Sequence, residues 1–325
     1  MDRGPVRFEL LGPEKLDRDG WEALARESPG GTVYHTADWA GLWPAAFPHF
    51  RPVFAVGVED GRYQAGLPAV VRGRFPFARI YSMPMGAYGG MLVRRGLVGR
   101  AEDYFEGLLR ALDRLRPCLA EIVDFDGRQG FLSKYGFARR EARTHVVDLE
   151  ASRSLSRQKT KRGAVQSAKR GIVIRDLADE ADLSDCHRLL RQRDRGYGQA
   201  TKYPPGFLRQ LWLGLAPRGL ARIGLAVRDS RIIGFTADLA FGDTVTYWDG
   251  ASDPGFRRLR PADALIQATI DWGLKLGCRR LNLGGSPPGA DGLVRFKENW
   301  GGQARDYGVY TRQAWWYKTI SGLRR

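Results

Sequence analysis

One stretch near the C-terminal end, Arg279–Gly302, joins a short apolar strand, a glycine break and a helix that carries a lysine. Arg280-Leu281-Asn282-Leu283 leads into Gly284-Gly285-Ser286, the chain turns through Pro287-Pro288-Gly289, and a helix restarts at Asp291 with Phe296, Lys297, Glu298 and Trp300. A strand that ends in glycines and feeds a helix leaves backbone N–H groups open to a ligand. Gly284 and Gly285 permit close approach of a ligand or a second backbone, and Lys297 places a cation beside the opening. An ammonium in that position can stabilise the negative charge that grows on a carbonyl oxygen when an amine attacks an activated ester. The amine must then lose a proton, to water, to the leaving alcohol or to a carboxylate such as Asp249. The bland alternative is a β–turn–α connection with a solvent-facing lysine.

A second group of residues is marked by charge. From Ser152 to Arg175 there is no acidic residue, while Arg153, Arg157, Lys159, Lys161, Arg162, Lys169, Arg170 and Arg175 crowd together, and the spacing permits a helix here that ends at Gly171. Such a helix is either a solvated face or a landing strip for phosphates. The whole chain carries 52 Lys+Arg against 36 Asp+Glu, a net charge of +16, which suits a polyanionic partner. Arginine-rich composition alone gives the same excess. Cys118, Cys186 and Cys278 are odd in number and far apart, and His35, His49, His145 and His187 have no metal-ligand spacing. Neither a disulfide framework nor a metal site is expected. No apolar run approaches the ~20 residues of a membrane span, and Met1-Asp2-Arg3-Gly4-Pro5 lacks a secretory pattern. The expectation is a soluble, cytoplasmic monomer.

The elements that must position these residues follow a repeated order. In the first half, strands Val53–Val58 and Tyr63–Arg72 flank Glu59-Asp60-Gly61-Arg62, then come strand Arg79–Met83, helix Glu102–Leu115 and strand Leu119–Phe125. In the second half, Arg222–Val227 and Arg231–Phe241 flank Arg228-Asp229-Ser230, followed by strand Thr244–Trp248, helix Pro261–Leu276 and strand Arg280–Leu283. A length of 325 residues fits two domains. The halves divide near residue 150, giving domains 1–150 and 151–302 and a closing segment 303–325 expected to pack back on the first domain. The shared order indicates a duplicated α/β unit with mixed sheets.

This order resembles the acetyltransferase fold of the GNAT superfamily, here twice in tandem. In that fold the loop before the helix of the strand–helix–strand crossover carries Q/R-x-x-G-x-G/A, whose amides hold the coenzyme A pyrophosphate. The matching stretch is Arg257-Arg258-Leu259-Arg260-Pro261-Ala262. Arg260 replaces the first glycine and Pro261 has no N–H, so the coenzyme A loop reads as degenerate and no cofactor is expected.

The chain also resembles the FemABX family of nonribosomal aminoacyl- and peptidyltransferases and the FemAB-like group around it. The residues that carry the likeness are Tyr34-His35-Thr36-Ala37-Asp38-Trp39, Gly86-Ala87-Tyr88-Gly89-Gly90, Gln166–Gly171, Tyr247-Trp248-Asp249-Gly250-Ala251-Ser252, Gly284-Gly285-Ser286 and Phe296-Lys297. The chain has no room for the family's coiled-coil arm. The resemblance implies transfer of an amino acid from aminoacyl-tRNA to the side-chain amine of a peptidoglycan precursor stem. The acceptor would be a UDP-sugar peptide or its lipid-linked form, with peripheral contact at the inner membrane face in the latter case. It implies a catalytic role for Lys297, with acceptor contacts from Phe296, Tyr247, Tyr88, Arg193 and Tyr197, Arg195 and Tyr203 being competitors for the last two positions. Asp249, Gly284, Gly285 and Ser286 complete the expected substrate site, and Arg157, Lys159, Lys161, Arg162, Lys169 and Arg170 are the expected tRNA contacts. Two other readings stay open: a FemAB-like N-acyltransferase acting on an amine of a polysaccharide, sugar or small metabolite, and a non-catalytic polyanion binder on the same fold.

Overall fold

The computed structural model describes residues 6–151, 157–286 and 289–322, with backbone alone for 157–161 and 321–322. In chain order the strands are β1 (Arg7–Leu11), β2 (Phe50–Glu59), β3 (Arg62–Arg72), β4 (Arg79–Tyr81), β5 (Leu92–Val93), β6 (Leu119–Asp124), β7 (Ala138–Asp148), β8 (Val173–Asp176), β9 (Ala221–Arg228), β10 (Arg231–Phe241), β11 (Thr244–Ser252), β12 (Arg280–Gly285) and β13 (Gln303–Gln313). The helices are α1 (Arg18–Glu27), α2 (Ala37–Ala46), α3 (Ala101–Asp113), α4 (Arg157–Lys169), α5 (Asp182–Gly196), α6 (Pro205–Leu215), α7 (Pro261–Lys275), α8 (Asp291–Asn299) and α9 (Trp315–Gly322).

The chain forms two compact units, Met1–Ala142 with Asp306–Arg325, and Arg143–Arg305. The first carries a sheet in the order β1-β2-β3-β4-β6-β13, with β5 paired to β3. The β2–β3 hairpin turns at Asp60 and Gly61, both at positive φ (51° and 70°), the turn whose twist matches the flanking strands. The chain then crosses over through α3, so that β4 and β6 run parallel, Ile80 opposite Ala120. α3 forms because Tyr104, Leu108, Leu109 and Leu112 recur at helical spacing. That face is buried against Leu67, Ala69 and Ile122.

The second unit repeats the plan in the order β7-β12-β11-β10-β9-β8. Its β9–β10 hairpin turns at Asp229 and Ser230, again both at positive φ (48° and 63°). α7 carries the chain from β11 to a parallel β12. Each unit's antiparallel neighbour to its crossover strand comes from a distant part of the chain: β13 for β6, and the second half of β7 for β12. Val147 and Leu149 therefore bury with Leu281 and Leu283 in the second core. The division falls between Ala142 and Arg143, inside β7, and the closing segment from Asp306 belongs to the first unit.

The Tyr34–Trp39 stretch is held by a histidine. His35 is 2% exposed; its Nδ1 accepts from Thr32 N (3.1 Å) and its Nε2–H donates to Gly90 O (2.9 Å). Thr36 then caps α2, its Oγ1 accepting from Trp39 N at 3.1 Å. Burial lowers the His35 pKa from 6.5 to about 4. The unfolded chain takes up a proton on this ring below pH 6.5 and the folded chain does not until about pH 4, so stability is lost across that window. We expect a loss of about 3 kcal/mol between pH 7 and 4 from this residue. His35→Gln should flatten that part of the slope in urea unfolding measured at the two pH values.

Candidate active site

The glycine turn of the second unit is built by three side chains. Asn282 Oδ1 accepts from Thr144 Oγ1 (2.6 Å) and from Gly284 N (2.9 Å), at the bulge where β12 shifts register between Asn282 and Gly285. Gly284 sits at φ +74°, a conformation that favours glycine. Lys297, from α8, donates to Gly284 O (2.7 Å), Gly285 O (2.8 Å) and Ser286 Oγ (3.0 Å). All the donors of an ammonium are thereby used. Lys297 is 4% exposed, so the solvent-facing lysine is ruled out. Strand carbonyls that leave the ladder at a bulge need a donor, and the lysine supplies it. Burial lowers the Lys297 pKa from 10.5 to about 8.

The turn lies where two strands stop pairing. β11 meets β12 only through Thr244–Thr246 and Arg280–Asn282. On its other side β12 skips a step against β7 between Asn282 and Gly285, which leaves His145 opposite Leu283 and Gly284. His145 is 1% exposed and neither ring nitrogen has a hydrogen-bond partner among the described residues. Burial lowers its pKa, and the Lys297 charge lowers it further. Close approach of the α8 end is possible because position 302 is glycine: a Cβ there would lie 3.2 Å from the His145 Cβ and 2.8 Å from Lys297 O. The sequence signal for His145 is its place in the inward series His145, Val147, Leu149, a polar ring on an apolar face.

A second cluster gathers at the irregularity of β11. β10 and β11 slip register between Ala237 and Asp238, so Trp248 is the extra residue between Tyr247 and Asp249. Arg193, from α5, donates from Nε and Nη2 to Asp194 Oδ1 (2.9 and 2.7 Å), and from Nη1 to Gly250 O (2.8 Å) and Asp249 Oδ1. Burial opposes its charge, but the two carboxylates outweigh that and raise its pKa. Tyr203 is buried beside Phe207 (4.7 Å between centroids) and Trp248 (4.8 Å), with the Lys202 ammonium over its ring at 5.3 Å. Tyr247 and Phe296 are partly buried and pack against the second core, and burial raises the pKa of the Tyr247 hydroxyl.

Tyr197 ends α5 at the edge of this cluster, 72% exposed, and its hydroxyl adds to the upward push on the Tyr247 pKa. The other expected site residues lie on other elements. Tyr88 lies in the first unit, stacked on Phe125 (4.2 Å) and edge-on to Tyr34 and Tyr307. Arg162, Lys169 and Arg170 are exposed on and after α4; Arg170 also donates to Arg258 O. The side chains of Arg157, Lys159 and Lys161 lie outside the described residues, as do Pro287 and Pro288. α4 packs on α7 through its small residues: a Cβ at Gly163 would meet Asp263 Oδ2 at 2.8 Å and the Arg260 guanidinium at 2.9 Å.

That packing covers the head of α7, the place of the coenzyme A loop. Arg260 is in the left-handed region (φ 62°, ψ 44°) and bonds Asp263 Oδ2 at 2.6 Å. Pro261 opens the helix without an N–H, and the amides of Asp263 and Ala264 already donate to Arg260 O (3.1 and 3.4 Å). These residues do not fit a pyrophosphate bound on backbone amides.

Residues 154–298 match the family model described as Acetyltransferase (GNAT) domain. The crystal structure of FemX superposes with a TM-score of 0.74 over 92% of this chain and 96% of its own, at 13% sequence identity. The chain has the fold of FemX. The mixed α/β architecture and its duplication are thus those expected from the order of elements. A tandem GNAT protein from the clavulanic acid biosynthesis pathway aligns over 95% of this chain and 98% of its own (TM-score 0.61, 16% identity). L-PGS from Bacillus licheniformis aligns over 90% and 91% (TM-score 0.58, 14% identity). No curated protein sequence matches the chain. Among the described residues no helix is long and apolar enough to cross a membrane.

Proposed function

We propose that this tandem GNAT is an acyltransferase that forms an amide from an aminoacyl-tRNA ester and the side-chain amine of a peptidoglycan precursor stem. The observation that carries the donor assignment is the head of α7, where Arg260 stands at the first glycine position and Pro261 offers no N–H to a pyrophosphate. The net charge of +16 and the acid-free helix α4 suit a polyanionic donor. In this reading the donor ester lies at the Gly284–Ser286 turn, and its carbonyl oxygen takes the place of Ser286 Oγ on Lys297. The acceptor nitrogen attacks the ester carbon, the carbon–oxygen bond to the ribose breaks, and the ribose oxygen leaves with the proton the amine gives up. Lys297 offsets charge on the carbonyl oxygen during attack. Arg193 holds Asp249 in place, and Asp249, Tyr247, Tyr203 and Tyr197 contact the acceptor, with Phe296 beside them. Arg162, Lys169 and Arg170, with Arg157, Lys159 and Lys161, take tRNA phosphates.

The match of the second unit to an acetyltransferase model favours one other reading, N-acyl transfer from a different donor to an amine of a sugar, polysaccharide or small metabolite. Donor binding separates the two. We expect aminoacyl-tRNA to bind at low salt and to weaken steeply as salt is raised, with acetyl-coenzyme A giving no heat in titration calorimetry. Acetyl-coenzyme A binding at micromolar concentration would overturn the donor assignment and favour the second reading.

A further inference from the structure

The first unit carries a surface unrelated to the glycine turn. Its exposed large apolar side chains, among the described residues, are Phe75 (63%), Phe77 (55%), Trp315 (81%) and Ile320 (45%). All of them lie on two segments, the 73–78 connection between β3 and β4 and the helix α9. Single exposed apolar residues are ordinary, but a patch that gathers every one in a unit marks an interaction site. The segments touch: Phe77 packs edge-on against Trp316 at 5.7 Å between centroids. Trp316 and Ile320 are four residues apart on α9 and share a face.

Cations are interleaved with these rings. The Arg116 guanidinium lies 4.9 Å over Phe75, and that of Arg79 5.4 Å over Tyr317. Arg72, Arg74 and Lys318 are exposed, and neither Arg72–Arg79 nor 314–320 contains a carboxylate. Aromatic rings suit the boundary between headgroups and acyl chains, and arginines beside them suit lipid phosphates.

We propose that this face of the first unit docks on an anionic lipid bilayer, with Phe75 and Trp315 entering the headgroup region and Arg72, Arg74 and Arg116 taking lipid phosphates. The inference stands apart from the acyl-transfer reading, and either can fail alone. The full chain should pellet with sucrose-loaded vesicles of phosphatidylglycerol and phosphatidylcholine. It should stay in solution with phosphatidylcholine alone, and leave the anionic vesicles at about 0.5 M salt. Phe75→Ser with Trp315→Ser should lower the partition coefficient roughly tenfold, as should Arg72→Glu with Arg74→Glu, while thermal unfolding stays that of the wild type. Equal pelleting of wild type and the Phe75→Ser/Trp315→Ser variant, or wild type left in solution with anionic vesicles, would overturn the proposal. Light scattering that shows a dimer abolished by the same two serines, with no vesicle binding, would overturn it too and assign the patch to a second copy of the chain.

Discussion

Lys297→Met should lower turnover at least tenfold, about 1.4 kcal/mol of barrier, while leaving the fold nearly as stable as before. The two halves of that expectation come from opposing magnitudes. Burying the ammonium shifts its pKa from 10.5 to about 8, a cost on the order of 3 kcal/mol that methionine removes. Methionine also leaves the carbonyls of Gly284 and Gly285 without their donor, at about 1–3 kcal/mol each. These effects roughly offset, so the loss appears in rate. The same pKa gives a pH signature. The ammonium is present below about pH 8 and is lost above it, so turnover should fall as pH rises through that value. Ser286→Ala frees one donor of Lys297 without removing the charge, and should keep most of the activity. A Lys297→Met enzyme with wild-type turnover and an unchanged profile above pH 8 would remove the lysine from the mechanism.

Arg193→Met should destabilise the protein by about 3–5 kcal/mol, the range for removing one partner of a buried ion cluster. The guanidinium is the shared partner of Asp194, which is 9% exposed, and Asp249, which is 14% exposed. Deleting it leaves both carboxylates without their shared guanidinium and removes a bond to Gly250 O. The double variant Arg193→Met/Asp249→Asn should recover part of the loss, because one unpaired charge is then gone. Urea unfolding of both variants measures this. A loss below about 1 kcal/mol for the single variant would show that the cluster is already solvated.

The crossover architecture was legible in the sequence because its signals are local. Two-residue turns at Asp60-Gly61 and Asp229-Ser230, and the helical spacing of Tyr104, Leu108 and Leu112, need no knowledge of partners. The glycine turn was equally visible, since Gly284 must take a positive φ. What stayed hidden depends on partners far along the chain. β13 begins with Gln303, Arg305 and Asp306, and only its pairing with β6 shows that Tyr307, Val309 and Tyr310 are core. The state of Lys297 was hidden for the same reason: a lysine on an isolated helix reads as solvated, and its burial follows from the carbonyls that β12 releases at its bulge. His145 lies opposite that bulge, which no local pattern announces.

The identity of the donor decides the reaction. The direct measurement is amide formation by the full-length enzyme on a lysine- or ornithine-containing precursor, followed by mass spectrometry with two donors offered separately. Glycyl-, alanyl- or seryl-tRNA should give a product heavier by one aminoacyl group, abolished by prior hydrolysis of the ester, and acetyl-coenzyme A should give none. Acetylated product from acetyl-coenzyme A with no dependence on tRNA would contradict the account.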